Sequence, residues 1–232
     1  MNILNSFKQL SKFEWILWIF SLTISGTMCF LSANFSILTL IASLVGVTGL
    51  IFVAKGDVLG QILTVVFSIT YALISLKCRY FGEAITYIGM TMPIAIMSVI
   101  SWIRNPYKKG VAEVKVEKLS KKKIALMIVL SIVVTCIFYY ILKFFNTNNL
   151  TFSTISITTS FLASYLMLNR SPLYAIAYAC NDIVLIVLWI LATLEDISYL
   201  PMIINFSIFF INDIYGLYSW SKMMKRQEES NY

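Results

Sequence analysis

The chain contains no histidine, only 12% charged residues and only 11 acidic side chains among 232 positions. Without histidine there is no imidazole base, no Ser–His or Cys–His nucleophile and no imidazole metal site. The four cysteines, Cys29, Cys78, Cys136 and Cys180, form no CxxC pair and sit mostly in apolar runs. A thiolate zinc cluster therefore has no spacing to support it, and the cysteines read as small buried hydrophobes. A glycine-rich phosphate loop is also lacking, so the chain does not hydrolyse ATP alone. No catalytic residue, metal or cofactor is expected. The scarcity of charge excludes a soluble domain as well, since such domains carry about 25% charged residues.

What is present is hydrocarbon: 59% of residues are apolar and the mean hydropathy is +0.82. A spanning helix needs about 20 apolar residues. Eight stretches qualify: Glu14–Leu31, Ser36–Ala54, Val58–Leu76, Ala84–Trp102, Ile124–Phe145, Thr151–Leu168, Pro172–Leu194 and Tyr199–Trp220. Backbone groups in lipid must be satisfied within the segment, and the runs lack the alternation of barrel strands. The expected class is therefore an all-α integral membrane protein with eight transmembrane helices. The first run follows Lys8 and Lys12 but lacks a small-x-small cleavage site, so it reads as a retained helix.

The net charge of +7 fits this class. With eight crossings, both termini share one side. That side collects Lys8, Lys12, Lys55, Arg104, Lys108, Lys109, Lys115, Lys118, Lys121, Lys122, Lys123, Arg170, Lys222, Lys225 and Arg226. The other side keeps Lys77, Arg79 and Lys143. The positive-inside bias then places both termini in the cytoplasm of a bacterial cell, in its inner or plasma membrane. Basic residues are not interleaved with base-stacking aromatics, so nucleic acid is not an expected partner.

Punctuation divides the chain into five parts. Residues 1–35 hold a tail and an extra helix, 36–104 a first block of three spans, 105–150 a basic cytoplasmic loop and a linker helix, 151–222 a second three-span block, and 223–232 a tail. The two blocks agree in their breaks, Lys55-Gly56-Asp57 against Arg170-Ser171-Pro172, and in their closing segments, Ser101-Trp102 against Ser219-Trp220. Three spans plus one linker span return the second block to the orientation of the first, which is the plan of parallel transporter repeats.

Intramembrane charge is a default mark of function. Asp182 and Asp213 lie well inside spans, each after an asparagine, Asn181 and Asn212. Tyr174, Tyr178, Asn181, Asp182, Leu185 and Trp189 share a face of the seventh helix by i, i+3/i+4 spacing. Asn205, Phe209, Asn212, Gly216 and Trp220 form a stripe on the eighth, with Asp213 on its flank. Facing stripes would enclose a cavity of aromatics, amides and carboxylates, suited to a flat, polar, cationic ring. Tyr71, Tyr87 and Thr91 are the corresponding candidates in the first block. The bland alternative is interhelical glue, at about 0.6 kcal/mol per polar contact. Trp102 and Trp220 read as interfacial belt residues, and Gly216 as a point of close helix approach. Two isolated acids without an extended relay favour uncoupled, facilitated passage.

From about Ser36 to Trp220 the chain resembles the PnuC family of nicotinamide riboside transporters. The resemblance rests on Ser160-Phe161-Leu162-Ala163-Ser164-Tyr165-Leu166-Met167 with Arg170, on Asn181-Asp182, and on Asn212-Asp213-Ile214-Tyr215-Gly216 with Trp220. In the first block it rests on Val45-Gly46, Gly60-Gln61, Tyr80-Phe81-Gly82-Glu83 and Met92-Pro93. It implies a 3+1+3 arrangement like that of the SWEET sugar transporters, with Glu14–Leu31 added to the seven-helix core. It also implies a vitamin or nucleoside bound near mid-membrane, facilitated diffusion feeding NAD biosynthesis with a cytoplasmic kinase trapping the product, and a homotrimer. The family's Trp-x-x-Trp pair reads Tyr174 and Ala177 here, and Ile88 and Ala95 stand near the places of its glutamine and asparagine. Nicotinamide riboside leads as substrate, with thiamine, riboflavin or another nucleoside open. A substrate-capture subunit of a larger transport complex, and a membrane enzyme or sensor subunit, are the alternatives from other classes.

Overall fold

Peptide groups in hydrocarbon have no water to bond, so the apolar runs close their hydrogen bonds along the helix axis. The structure, a computed structural model, describes residues 3–31, 36–77, 81–108 and 111–230. Its helices are α1 (Ile3–Lys8), α2 (Lys12–Leu31), α3 (Ile37–Ala54), α4 (Val58–Lys77), α5 (Phe81–Thr86), α6 (Met92–Arg104), α7 (Lys121–Phe144), α8 (Leu150–Leu168), α9 (Tyr174–Glu195) and α10 (Leu200–Glu229). A π-helical turn, Tyr87–Thr91, joins α5 to α6, and a 3-10 turn, Ile197–Tyr199, leads into α10. Among the described residues eight helical segments are long and apolar enough to cross a membrane, with α5, the π turn and α6 forming one span, Phe81–Arg104. Cys78, Arg79, Tyr80 and Lys109 lie outside the described residues.

The π turn has a covalent cause. Pro93 lacks an N–H and its ring would clash with the carbonyl four residues back. The helix widens by one residue there, and the Met92 N–H reaches the Tyr87 carbonyl, five residues back. Such widenings re-aim side chains and gather at functional sites.

α3 pairs with α4, α4 with α6, α8 with α9 and α9 with α10, while α10 also packs on α3 and α2. α7 leans mainly on α8 and buries only Ser131 and Leu142, so most of its apolar surface faces outward. Outward-facing Phe144, Leu194, Leu31 and Tyr140 suit a lipid surround. The extra helix α2 is fastened through polar groups along its length. Trp18 Nε1 donates to Thr48 Oγ1 at 3.1 Å and Tyr215 Oη to Glu14 Oε1 at 2.7 Å, while Lys55 Nζ lies 3.3 Å from Glu14.

The two hairpin turns have the same construction. Gly56 and Arg170 both take positive φ, +65° and 55°. After α3, Gly56 N–H bonds the Val53 carbonyl and Asp57 N–H that of Phe52, each at 2.9 Å. After α8, Arg170 N–H bonds Met167 at 2.9 Å and Ser171 N–H bonds Leu166 at 3.0 Å. These are left-handed helix caps that satisfy terminal carbonyls. Each block then clasps the other's cap: Trp220 Nε1 donates to the Val53 carbonyl at 2.8 Å, and Trp102 Nε1 to that of Met167 at 3.2 Å. The indoles meet at 5.5 Å between centroids. Both tryptophans are buried, which corrects the interfacial-belt expectation; their N–H groups are consumed inside the protein.

Residues 111–120 of the basic loop form a strap. Val114 N–H donates to the Gly56 carbonyl at 2.9 Å and Glu117 N–H to that of Arg170 at 3.0 Å, so one segment reaches both hairpin tips. α10 extends nine residues past Trp220, the expected end, because its final turns belong to this strap. Gln227 Nε2 donates to Glu113 at 2.7 Å, and Arg226 pairs with Glu113. Cys29 is buried, 3.6 Å from Ser43, whereas Cys136 and Cys180 lie on outward faces, correcting the expectation that all were core.

Candidate binding cavity

Three spaces line up between α3, α4, α9 and α10. At the end opposite the strap, an open vestibule of about 320 Å³ is bordered by Thr39, Ile74, Lys77, Trp189, Tyr199 and Met202. Below it a gap of about 10 Å³ shares Thr39, Ile74 and Met202 with the vestibule and Phe67, Phe206 and Phe209 with the next space. That next space is a central cavity of about 80 Å³. At about 30 Å³ per water it holds two or three waters, so a larger ligand requires the walls to part.

One wall of the central cavity comes from α9 and α10. Tyr178, Asn181, Asp182 and Asp213 line it, with Phe206 and Phe209 beneath the gap. Asn181 is oriented from behind: its Oδ1 accepts from Thr159 Oγ1 at 2.8 Å and Ser156 Oγ at 3.5 Å, which leaves the amide N–H groups to donate. Tyr178 Oη sits 3.1 Å from Ser164 Oγ. The carboxyl groups of Asp182 and Asp213 lie side by side, both nearly sealed from solvent. Beyond that neighbour, Asp182 Oδ2 finds no hydrogen-bond partner.

The facing wall comes from α3, α4 and the π turn: Gly46, Gly49, Gln61, Thr64, Phe67, Tyr87 and Thr91. Gln61 Nε2 and Thr91 Oγ1 are buried and unpartnered. Phe67, Tyr71 and Tyr87 form a contiguous aromatic surface, with Tyr71 and Tyr87 centroids 4.3 Å apart. Gly46 keeps the space open, since a Cβ there would stand 2.8 Å from Phe209. Three buried polar groups without hydrogen-bond partners thus border one cavity, each leaving a desolvation cost standing.

The candidate residues named from sequence therefore distribute over several places. Tyr87, Thr91, Tyr178, Asn181, Asp182 and Asp213 meet at the central cavity. Tyr71 and Asn205 border the gap, and Trp189 the vestibule. Tyr174 and Asn212 border none of the three. Tyr174 packs on Trp220 at 4.9 Å and fills the space over Gly216, where a Cβ would meet its hydroxyl at 2.8 Å. Asn212 turns to the extra helix, donating to Ser21 Oγ at 3.2 Å. The α10 stripe thus splits: Asn205 bonds Ser43 of α3 at 2.7 Å and Asn212 bonds α2, while the flank carrying Phe206, Phe209 and Asp213 faces the cavity. Sequence reasoning did not assign Gln61, Thr64 or Phe67. Gln61 offered a signal, being a polar amide four residues into a span, where burial without purpose is costly.

Comparison with known proteins follows the same outline. A family model described as nicotinamide mononucleotide transporter matches residues 36–222. The nicotinamide riboside transporter PnuC of Neisseria mucosa is 23% identical over 190 residues, covering 80% of this chain and 72% of the relative. Its Haemophilus influenzae counterpart is 22% identical over 213 residues, 91% of each chain. A crystal structure of the vitamin B3 transporter PnuC superposes with a TM-score of 0.82 at 22% identity, covering 94% of both chains.

Proposed function

The chain belongs to the nicotinamide mononucleotide transporter family, and from that premise we propose that it carries nicotinamide riboside, or a close vitamin or nucleoside relative, across the bacterial cell membrane without ATP. The substrate sits in the central cavity between two three-helix blocks joined by α7, a 3+1+3 core with both termini cytoplasmic and α2 as an added helix. The observation that carries this reading is the convergence of unpartnered Gln61 Nε2, Thr91 Oγ1 and Asp182 Oδ2 on one small, aromatic-walled cavity. Each group has a task toward a pyridinium carboxamide with a ribose. Asn181 and Gln61 bond the amide or the sugar hydroxyls, Tyr87 and Tyr178 cover the ring, and Asp182 with Asp213 offset its positive charge. Tyr71, Asn205 and Trp189 lie along the route of entry. By family resemblance we also propose a homotrimer.

Thiamine is the second reading, since the carboxyl pair suits any cationic aromatic ring. Calorimetry on the purified protein in detergent, against nicotinamide riboside, thiamine, riboflavin and a neutral nucleoside, separates the two. The expected result is binding of nicotinamide riboside that falls at least about tenfold in Asn181→Ala, the loss of one charge-free but well-oriented contact. Folded protein that binds none of the four would remove this reading.

A further inference from the structure

Behind the α9 wall of the cavity stands a row of hydroxyls on α8. The two helices form an antiparallel hairpin, so Ser164 lies opposite Tyr178, and Thr159 opposite Asn181. Ser156 and Thr159 are three residues apart and share a face of α8. Thr159 Oγ1 donates to Asn181 Oδ1 at 2.8 Å, and Ser156 Oγ adds a longer bond at 3.5 Å. Asn181 lines the central cavity; Thr159 and Ser156 do not. An asparagine amide can be seated with its oxygen or its nitrogen toward such neighbours, and the surrounding bonds decide which. Thr159 alone leaves the choice open, because its hydroxyl also lies 3.0 Å from the carbonyls of Ile155 and Ser156 and could place its proton there. Ser156 closes it. Its Oγ is buried and bonds nothing else among the described residues, so a reversed amide would turn N–H groups on it and strand its own proton. A buried donor without an acceptor is the costly arrangement. The Asn181 oxygen therefore faces α8, and its N–H groups point away from that helix. On the facing wall Gln61 Nε2 is also a donor without a partner.

We infer that Thr159, backed by Ser156, is a positioning residue that fixes Asn181 as a donor, and that the cavity thereby selects a ring substituent that accepts hydrogen bonds over one that donates them. This rests on the reading of the cavity as the seat of a pyridinium riboside. A carbonyl oxygen on the ring has two lone pairs and takes one hydrogen from each wall. An amino group in the same place sets N–H against N–H, and a site whose polar groups lose their bonds rejects the ligand. Removing both α8 hydroxyls frees the amide to turn over, so the preference disappears although no group that lines the cavity has changed.

The test compares two cationic analogues of nicotinamide riboside on the detergent-solubilised full chain: one with a meta-acetyl group, which only accepts, and one with a meta-amino group, which donates. Calorimetry should give the acetyl compound at least about tenfold the affinity of the amino compound. In the double variant Thr159→Val, Ser156→Ala the ratio should fall to about threefold or less. Thr159→Ser, which keeps the hydroxyl, should preserve it. A ratio near one in the unaltered chain overturns the selection. Hydroxyls with a merely structural role would lower the melting temperature and both affinities together and leave the ratio unchanged, which overturns the positioning. A second readout needs no ligand. The side-chain carbonyl carbon of Asn181, identified in carbon-13 spectra of asparagine-labelled protein by its loss in Asn181→Ala, should shift in the double variant and stay near its place in Thr159→Ser. If neither analogue nor nicotinamide riboside binds, the transport reading falls; the resonance then decides the positioning, a shift supporting it and an unmoved line overturning it.

Discussion

The two halves of this transporter share a frame and differ in chemistry. Laying Gly56 on Arg170 matches cap for cap: the same pair of amide-to-carbonyl bonds, the same positive φ, a strap amide on the same carbonyl and a tryptophan from the other half on the same acceptor. Along that alignment Gly46 falls on Ser160, Phe67 on Asn181 and Ser68 on Asp182; laying Trp102 on Trp220 sets Thr91 on Phe209 and Ala95 on Asp213. Every acidic group of the central cavity is thus in the second half, opposite aromatic and neutral polar groups of the first. A cation with one charged face and a polar edge needs unlike walls. The frame can repeat because it only closes backbone bonds, whereas on the proposed reading the lining breaks the repeat to recognise an unsymmetrical molecule.

The largest expected effect tests where the repeat fails structurally. Gly60 falls on Tyr174 in the alignment. A Cβ at Gly60 would stand 2.4 Å from the Val53 amide nitrogen, a backbone atom that cannot rotate away. Gly60→Val should therefore cost at least about 3 kcal/mol and leave little folded protein. Size-exclusion profiles and melting in detergent would read this. A variant that folds normally would show that α3 and α4 can separate there.

Next come the two clasps. Trp220→Phe and Trp102→Phe each delete one buried indole bond, but Val53 and Met167 keep a bond from their own caps, so neither carbonyl is orphaned. Each loss should be about 1 kcal/mol. Trp220 carries the shorter bond and also packs on Tyr174, so its variant should be the worse of the two. Because the rings touch, the double variant should deviate from additivity. Equal and fully additive losses would mean that the halves close independently.

How much of this was legible in the chain differs by kind of interaction. The eight spans follow from run length, since hydrocarbon thickness sets one number that sequence can meet. Asp182, Asp213 and Asn181 were visible because charge and amides inside a span are conspicuous. The division of α10 was not. Asn205, Asn212 and Asp213 fall within an arc of about 100° around α10, and only the partners on α2 and α3, Ser21 and Ser43, decide which of them turn from the cavity. The tryptophans were misread for a similar reason, because belt placement and burial at a carbonyl look alike in sequence. Gln61 and Phe67 depend on α4 facing α9 across the central cavity, a tertiary fact without a local pattern.

The smallest effect sharpens the comparison at the strap. It binds the first hairpin through the Val114 amide and a buried Val114 side chain, and the second through the Glu117 amide and an ion pair with Arg170. The hydrogen bond from Lys123, with Arg170 adding its charge, holds the Glu117 carboxyl below its ordinary value. A carboxyl lowered by folding stabilises the folded strap above its ordinary range, and that contribution disappears as pH falls through the lowered value. Acidification well below the ordinary glutamate range should therefore loosen the second attachment, by no more than about 0.5 kcal/mol because the pair is partly open to water. The first attachment rests on a backbone amide and an apolar side chain, with the Glu113–Arg226 pair alongside, and should loosen less. Amide exchange, corrected for its intrinsic pH dependence, should quicken at Glu117 relative to Val114, and Glu117→Gln should show the quickened rate at every pH. Equal loosening at both amides would mean that the strap is released as a unit and that its two ends are not held by different physics.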